Sequence, residues 1–323
     1  MSSKGWYYAQ LEAVQYEMRA RPDMFFLYEL TAPRVAVPKP LDLEKEFGRE
    51  RVYNSSINEL WMASAAIGAG LIGSRVIAYI PYQGGTIPFD VIRQFAGKVR
   101  YKTGGVASVP VVFFIEESGQ SPTLSVQHSD YDEDIYFAHM AGIKVVVPST
   151  VYDAKGLMHA AIRDPDPVVY INPGRLKSLV EDVPDEPFEV PFGKAVLRKA
   201  GRDMTIVGYG PVMPYVQSVA TKLTAQGINA EVIDLRSLFP LDRDALIASA
   251  RKTHKLLSVE AGKYSYGVGA EVLATVAEAV PGTVFRRIAY SDAPPPAAAS
   301  MFNWMQVTED RILAAAQALA RAK

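Results

Sequence analysis

Short, continuously apolar runs alternate with longer amphipathic segments along most of the chain. In the first half, the runs typical of strands are 24–30, 75–81, 109–116, 143–149 and 167–172. They are too short and too continuously apolar for strands with one solvated face, whereas parallel strands covered by helices on both faces have this pattern. Helices are predicted between them, at 5–20, 59–73, 89–101, 131–141 and 151–163. This alternation predicts a parallel βαβ sheet.

The alternation is interrupted at 176–192, where three prolines occur among acidic residues without a helical period, which predicts a linker. Beyond it, strands are predicted at 204–210, 230–235, 255–261 and 283–289, and helices at 212–226, 242–252, 267–279 and 308–321. We therefore expect an α/β protein with two doubly wound domains, each with a mostly parallel sheet and helices on both faces. The expected boundaries are 1–175 for the first domain and 193–323 for the second.

Composition narrows the classes of function. The chain has 323 residues, with 34 Lys and Arg against 35 Asp and Glu, so bulk charge predicts neither a nucleic-acid partner nor a membrane partner. The absence of cysteine excludes disulfides, thiolate nucleophiles and zinc sites that use cysteine. No apolar run reaches about 18 residues, and the N-terminal segment is unlike a signal peptide. We expect a soluble, cytoplasmic protein.

The common nucleotide-binding motifs are missing. There is no GxGxxG and no GxxxxGK[ST]; Gly208-Tyr209-Gly210 follows a predicted strand but lacks the third glycine. The four histidines are far apart in sequence, without an HExxH pattern, so a histidine-built metal site is not expected. A Rossmann dehydrogenase and a P-loop ATPase are both disfavoured.

Two polar residues stand at positions where chemistry could occur. Glu59 lies in the first turn of helix 59–73, behind the predicted N-cap Asn58, and an acid there also simply complements the helix dipole. His128 follows a predicted strand, where ligands bind in parallel sheets, although a lone loop histidine is usually just solvated. Small residues along helix 59–73 indicate close approach of another helix, either within the core or at a subunit interface.

Several motifs together resemble the beta subunits of thiamine-diphosphate-dependent 2-oxoacid dehydrogenases and of acetoin dehydrogenases. They follow the family's order over nearly the whole chain: Arg100-Tyr101-Lys102-Thr103-Gly104-Gly105, His128-Ser129, Val147-Pro148-Ser149, 152–157, 161–168, 230–236 and Pro240-Leu241-Asp242. The resemblance implies a pyrimidine-binding domain followed by a transketolase C-terminal domain. It also implies thiamine diphosphate shared with an alpha subunit in an α2β2 heterotetramer. By the same resemblance the alpha subunit would hold magnesium and the diphosphate, and the absence of a Gly-Asp-Gly to begin the family's magnesium motif in this chain fits that division.

The resemblance also implies roles for single residues. Ile57-Asn58-Glu59 resembles the family's Ile-Ser-Glu, whose glutamate contacts N1′ of the aminopyrimidine. Such a carboxyl group favours the imino tautomer, so that the cofactor's own nitrogen deprotonates the thiazolium C2. His128 matches a histidine near the reacting carbon, which can bind the substrate carboxylate or an acyl-transfer intermediate. Glu29 matches an acidic position that can join a proton relay between paired active sites, and local bonding at a strand end is an equal alternative.

The chain departs from the family after strand 75–81, where the family has an aromatic residue that stacks on the pyrimidine. Tyr82 and Phe89 are the candidates for that role here. Gly85 permits either close approach of the backbone to a ligand or a tight turn. Two acids, Glu116 and Glu117, replace a glycine-rich loop and are predicted to be solvated loop charges.

A structural potassium ion is implied by resemblance near Ala161, Asp164 and Asp166, through carbonyl oxygens. The expected reaction is decarboxylation of a 2-oxo acid, or cleavage of a related hydroxyketone or diketone, with the acyl group passing to a lipoyl carrier and with a lipoyl acyltransferase as a further partner. One alternative is a split transketolase-type subunit that transfers ketol units. The other is a non-catalytic partner subunit, since a fold does not guarantee activity.

Overall fold

The computed structural model describes residues 1–29, 42–80, 84–117 and 133–322. Tyr82 and His128 lie outside these residues. The chain divides into two compact units: unit 1 comprises the described residues of 1–120 and 136–192, and unit 2 those of 121–135 and 193–323.

Unit 1 is a parallel sheet with helices packed on both faces. Its strands are β1 (Ser2–Gly5), β2 (Met24–Glu29), β3 (Val52–Ser55), β4 (Arg75–Ile80), β5 (Val111–Glu117), β6 (Lys144–Val146), β7 (Val168–Pro173) and β8 (Val180–Val183). Its helices are α1 (Trp6–Ala20), α2 (Leu43–Phe47), α3 (Glu59–Leu71), α4 (Phe89–Val91), α5 (Val99–Lys102) and α7 (Val151–Arg163), and α6 (Glu133–Ala138) is divided between the two units. The parallel strands lie in the order β6-β7-β5-β4-β2-β3, while β1 and β8 form a separate antiparallel pair.

A row of aromatic rings crosses the sheet of unit 1 on the face covered by α1 and α7. Phe26, Tyr79, Phe114 and Tyr170 come from four neighbouring strands, and their ring centroids lie 5.2–6.4 Å apart. All four are buried among apolar residues of α1 and α7. Because large aromatic side chains bury much apolar surface, this row accounts for a large part of the core and fixes the strands next to one another.

The five strand predictions in this half are confirmed to within a few residues, but two segments differ from expectation. The single helix predicted over 89–101 is wrong: the chain forms α4, a π-helical turn at Ile92–Ala96 and α5. The break falls at Gly97, where a Cβ atom would lie 2.9 Å from the carbonyl oxygen of Ala141, so a packed neighbouring segment ends the helix there. Segment 176–192, predicted as a linker, contributes β8 and buries Val190 against α7.

Unit 2 repeats the α/β plan. Its strands are β9 (Val196–Lys199), β10 (Met204–Gly208), β11 (Ala230–Asp234), β12 (Ser237–Phe239), β13 (Lys255–Lys263) and β14 (Val284–Tyr290). Its helices are α8 (Met213–Ala225), α9 (Arg243–Thr253), α10 (Val268–Ala279), α11 (Ala299–Met305) and α12 (Glu309–Arg321). The sheet order is β14-β13-β10-β11-β9, parallel except for β9.

Helices cover both faces of the unit 2 sheet. On one face, α8 and α12 bury their apolar sides against strand residues such as Ile206 and Val232. On the other, Thr205 of β10 shares hydroxyl hydrogen bonds with Ser249 and Thr253 of α9, at 2.6 and 2.7 Å. The predicted α/β class with mostly parallel sheets is therefore confirmed. In the part of the chain that the structure describes, no helix has the length and apolar character needed to cross a membrane.

Candidate active site

The carboxyl ends of β2 and β3 bring two glutamates together. Glu29 ends β2 and is paired across the sheet with Ser55, the last residue of β3. The chain then turns into α3, where the Asn58 side chain caps the helix by accepting a hydrogen bond of 2.8 Å from the backbone N–H of Trp61. The backbone N–H of Asn58 donates to Oε2 of Glu29 at 2.9 Å. This bond holds the start of α3, and therefore Glu59, beside Glu29.

Glu29 is an acid in a dry environment. Its side chain is 1% exposed. Burial raises the pKa of Glu29, the neighbouring Glu59 carboxylate raises this pKa further, and the hydrogen bond from Asn58 opposes the shift. A second carboxyl group with increased affinity for a proton is therefore fixed next to the predicted catalytic one.

Glu59 is half-buried and makes no hydrogen bond with any other described residue. It is the first residue of α3, where the helix dipole favours a negative charge. Ile57, two residues earlier, is 62% exposed. The carboxylate is therefore held by the backbone while its oxygens stay available to a partner, an arrangement suited to a ligand-contacting acid.

An exposed apolar surface includes residues on either side of Glu59 in the sequence. We call it the α3 surface and define it as Tyr53, Ile57, Leu60, Trp61 and Gly68; all five residues are exposed. The rings of Tyr53 and Trp61 lie 5.8 Å apart, and nothing lies within 4 Å of where a Cβ atom of Gly68 would be. Contiguous exposed apolar residues of this kind mark interaction surfaces.

Gly85 and Phe89 are accounted for by packing within unit 1. A Cβ atom on Gly85 would lie 2.6 Å from Cδ1 of Ile115, so the glycine lets this turn lie directly on β5. The half-buried ring of Phe89 packs against Phe137 at 5.9 Å and against Tyr136 at 6.4 Å, measured between centroids. These contacts favour a structural role for Phe89 and leave Tyr82 as the better candidate for stacking on a pyrimidine.

Glu116 is not the solvated loop charge that the sequence predicted. It lies in β5, and its carboxylate accepts hydrogen bonds from the hydroxyls of Tyr7 and Tyr79. Burial raises the pKa of Glu116, and the hydrogen bond from Tyr7 opposes the shift. The prediction for Glu116 was wrong because two tyrosines distant in sequence supply its partners.

Two of the residues predicted around a potassium ion, Asp164 and Asp166, use their carboxylates in ion pairs. Asp164 accepts a hydrogen bond of 2.7 Å from Nζ of Lys144, and its backbone carbonyl accepts one of 2.8 Å from Arg75. Asp166 pairs with Arg100 and lies 3.5 Å from Lys144, and Ala161 is buried in α7. Protein cations neutralise both carboxylates, and the potassium site, which was expected to use carbonyl oxygens, stays a prediction. Among the described residues, no cluster of three or more acidic or histidine side chains is placed to hold a metal.

A second group of polar residues, which the sequence did not indicate, lies in unit 2. The hydroxyl of Tyr209 donates to Oδ2 of Asp134 at 2.7 Å, and the carboxyl group of Glu260 is buried nearby. The only sequence signal was Gly208-Tyr209-Gly210, considered above as an incomplete nucleotide motif.

Comparison with known proteins identifies the family. Residues 4–176 match the family model described as transketolase, pyrimidine binding domain, and residues 193–312 match transketolase, C-terminal domain. The pyruvate dehydrogenase E1 component subunit beta-2 (mitochondrial) of Oryza sativa subsp. japonica is 35% identical over 314 residues, covering 94% of this chain and 83% of that protein. The chain belongs to the 2-oxoacid dehydrogenase E1 beta-subunit family.

Other relatives agree with that assignment. The 2-oxoisovalerate dehydrogenase subunit beta of Bacillus subtilis (strain 168) is 34% identical over 315 residues, covering 95% of this chain and 96% of that subunit. A solved structure titled split gene transketolase, inactive beta4 tetramer, has a TM-score of 0.82 with 98% of both chains covered. At 21% identity this structure supports the two-domain fold only. The resemblance seen in the sequence is confirmed, and the main reading of an E1 beta subunit is supported over both alternatives.

The E1 beta family depends on thiamine diphosphate, and the geometry around Glu59 fits that cofactor. A carboxylate at a helix N-terminus that has no hydrogen bond from the described residues, and that lies beside a buried carboxyl group, can share a proton with a ring nitrogen. A neighbouring apolar surface can shield such a contact from water. The structure places Glu29 beside Glu59, and Gly85 and Phe89 pack against Ile115 and Phe137.

Proposed function

We propose that this chain is the beta subunit of an α2β2 thiamine-diphosphate enzyme that decarboxylates a 2-oxo acid and passes the acyl group to the lipoyl group of an acyltransferase. The alpha subunit would hold the magnesium ion and the diphosphate. The observation that carries the proposal is the Glu59 carboxylate, presented at the start of α3 by the hydrogen bond between Glu29 and Asn58. Family membership supplies the reaction class.

Bound thiamine diphosphate supplies an acidic C2 carbon that adds to a carbonyl group and stores the electrons released on decarboxylation. The residues of this chain would control proton transfer to and from the aminopyrimidine ring of that cofactor. Glu59 would hold a proton at N1′ of the aminopyrimidine and so make the far amino group basic. Such positioned proton transfer contributes about 10²–10⁴-fold to a rate.

Glu29 supports Glu59 in two ways. Its carboxyl group holds the Asn58 amide and thus the first turn of α3. Burial and the Glu59 charge both raise the pKa of Glu29, so Glu29 takes up a proton more readily than an exposed glutamate does.

His128 and Tyr82 complete the proposal from family resemblance. His128 would bind the substrate carboxylate or the transferred acyl group, and Tyr82 would stack on the pyrimidine ring. Cofactor binding would require the alpha subunit, which would cover the α3 surface.

The test uses the chain co-expressed and purified with its alpha subunit. Turnover is measured with pyruvate and with branched 2-oxo acids, using an artificial electron acceptor, and compared with ketol transfer from a ketose phosphate to an aldose phosphate. We expect 2-oxo acid oxidation that is lost in Glu59→Gln and retained in Glu271→Gln, which removes another first-turn glutamate. Ketol transfer without 2-oxo acid oxidation, or no activity with either substrate class, would contradict the proposal.

A further inference from the structure

Unit 1 contains a cavity between α1 and α7, which we call the α1–α7 cavity. Its volume is about 180 Å³. One face of α1 and two residues of α7 line it together with part of segment 184–187: Glu12, Gln15, Tyr16, Arg19, Lys155, His159, Asp185 and Pro187. A cavity of about 150 Å³ is enough to hold benzene, so this one has room for a small ring with one polar substituent.

Lys155 is a buried residue of the lining whose charge is already used. Its Nζ donates to the backbone carbonyl oxygens of Pro184 and Asp185 at 2.7 and 2.9 Å. It also lies 2.7 Å from Oε2 of Glu12, in an ion pair. An ammonium group has three donors, and here three oxygens surround it. Lys155 therefore has no donor left for a ligand.

The other buried residue of the lining, His159, is held in one tautomer by Glu17. Its Nδ1 lies 2.8 Å from Oε1 of Glu17, and that oxygen also accepts from Nε of Arg163 at 2.7 Å. Burial opposes ionisation of Glu17, but the hydrogen bonds from His159 and Arg163 and the charge of Arg163 hold its pKa below the usual range. An ionised carboxylate only accepts hydrogen bonds, so Nδ1 carries a proton. In the neutral ring, Nε2 then has a lone pair.

Nε2 of His159 is an acceptor without a donor. It is buried and makes no hydrogen bond with any residue that the structure describes. Buried polar atoms normally have a hydrogen-bond partner, so such an exception indicates one. The ring of Tyr16 meets the imidazole edge-on, 5.6 Å away between centroids, and Tyr16 is 45% exposed. Exposed side chains change rotamer within nanoseconds, so rotation of Tyr16 can open Nε2 to the cavity.

The charges along the lining balance and favour an uncharged ligand. Glu12 and Asp185 are opposed by Arg19 and Lys155. Nζ of Lys4 pairs with both acids, at 2.7 and 3.0 Å, so neither carboxylate is left to attract an added cation. An added anion would meet these two carboxylates, and the guanidinium of Arg19 is exposed to solvent. Like charges brought together in this way are unfavourable.

We propose that the α1–α7 cavity binds a small neutral carboxamide. The amide N–H donates to Nε2 of His159, and the amide carbonyl oxygen accepts from the guanidinium of Arg19. The apolar part of the ligand packs against Tyr16 and Pro187. One planar amide supplies both the donor and the acceptor that these two polar residues require. The site does not depend on the proposed function, and its test measures binding instead of turnover.

The first test measures binding of two probes of similar size, benzamide and benzoate, to the purified full chain by calorimetry. We expect saturable binding of benzamide that is at least about tenfold tighter than binding of benzoate, because benzoate adds a charge and lacks the N–H donor. Equal or tighter binding of benzoate, or no saturable binding of benzamide, would overturn the inference.

Two variants assign the binding to the named residues. His159→Phe keeps a ring beside Tyr16 but removes the acceptor, and should weaken benzamide binding at least about tenfold. Arg19→Met should weaken it about threefold, since an exposed guanidinium contributes less. The controls are His139→Phe, at an exposed histidine, and Arg49→Met, which also removes an arginine paired with a glutamate of α2. Both controls should bind benzamide as wild type does. Unchanged affinity in His159→Phe would exclude the site.

A crystal structure of the wild-type chain grown with benzamide gives a result that does not depend on how His159→Phe folds. We expect the amide nitrogen within hydrogen-bond distance of Nε2 of His159, with the Tyr16 ring displaced. Only a water molecule at Nε2, or benzamide bound elsewhere on the chain, would overturn the inference.

Discussion

Oε2 of Glu29 accepts a hydrogen bond of 2.9 Å from the backbone N–H of Asn58, the residue immediately before Glu59. The bond joins the end of β2 to the start of α3 across a buried carboxyl group. This bond explains how the first turn of α3 keeps Glu59 in place although the preceding Ile57 is exposed.

Removing the Glu29 carboxyl group should destabilise unit 1. Glu29→Ala removes the acceptor of the part-buried hydrogen bond from the Asn58 amide, and a typical intramolecular hydrogen bond contributes about 0.5–1.5 kcal/mol to the free energy of unfolding. Glu29→Gln keeps an acceptor and should cost less than Glu29→Ala. Urea unfolding of both variants checks this order; equal losses would show that the hydrogen bond contributes nothing.

Tyr82 and Phe89 should respond in opposite ways to truncation. Tyr82→Ala should weaken thiamine diphosphate binding by about 1–2 kcal/mol, the scale of an aromatic contact with its buried area, and leave the melting temperature unchanged. Phe89→Ala should lose about 1–3 kcal/mol of stability, because its ring packs on Phe137, and keep cofactor affinity. Calorimetry of binding and of unfolding separates the two residues. Reversed effects would assign the stacking to Phe89.

A substitution at Gly68 should separate an effect on the stability of the chain from an effect on its assembly with the alpha subunit. Gly68→Leu has open space around the new side chain and should favour α3 by about 0.5–1 kcal/mol, because glycine is a poor helix residue. If the alpha subunit covers the α3 surface, the same substitution should prevent formation of the heterotetramer and lower cofactor affinity.

Thr221→Leu is the matched control for Gly68→Leu, since it adds leucine to an exposed position of α8. Sedimentation of the co-expressed subunits gives the result. A heterotetramer that forms normally with Gly68→Leu would exclude the α3 surface from the interface.

Glu260 should give stability a defined pH dependence. Its pKa is raised from 4.5 to about 8 in the folded chain, so the folded state holds the proton more tightly than the unfolded state does. Its contribution to stability is complete below about pH 4.5 and is lost progressively as the pH rises to about 8. Glu260→Gln should remove this loss, so the variant should gain on wild type from pH 5.5 to pH 8.5 in thermal unfolding. A difference that does not change with pH would contradict the raised pKa.

The sequence predicted the parallel sheet and its strands because continuous apolar runs such as β5 are typical of strands buried on both faces. It missed β3 (Val52–Ser55), because this strand is short and largely exposed. It also missed the antiparallel pairing of β1 with β8. β1 and β8 are about 180 residues apart in the sequence, so their pairing depends on the tertiary structure of unit 1 and cannot be predicted from a local sequence pattern.

The candidate site was predictable only in part. Asn58 as cap and Glu59 as the first-turn acid followed from local helix rules. The contact between Glu29 and Asn58 requires β2 and β3 to be neighbours, and the pairing of Tyr209 with Asp134 joins positions 75 residues apart. Glu116 shows the same limit, because its tyrosine partners lie on α1 and β4.

The central claim is that Glu59 controls the proton at N1′ of the cofactor. Glu59→Gln removes the ionisable carboxyl but keeps its size, so turnover should fall by at least about 10²-fold. The fold should lose only a first-turn charge, worth about 0.3–1 kcal/mol, with Asn58 still capping the helix.

The most direct measurement is deuterium exchange at C2 of thiamine diphosphate bound to the reconstituted heterotetramer, in wild type, in Glu59→Gln and in Glu271→Gln as control. The account predicts exchange slowed by about 10²-fold or more in Glu59→Gln alone. Equal exchange rates in wild type and Glu59→Gln would contradict it.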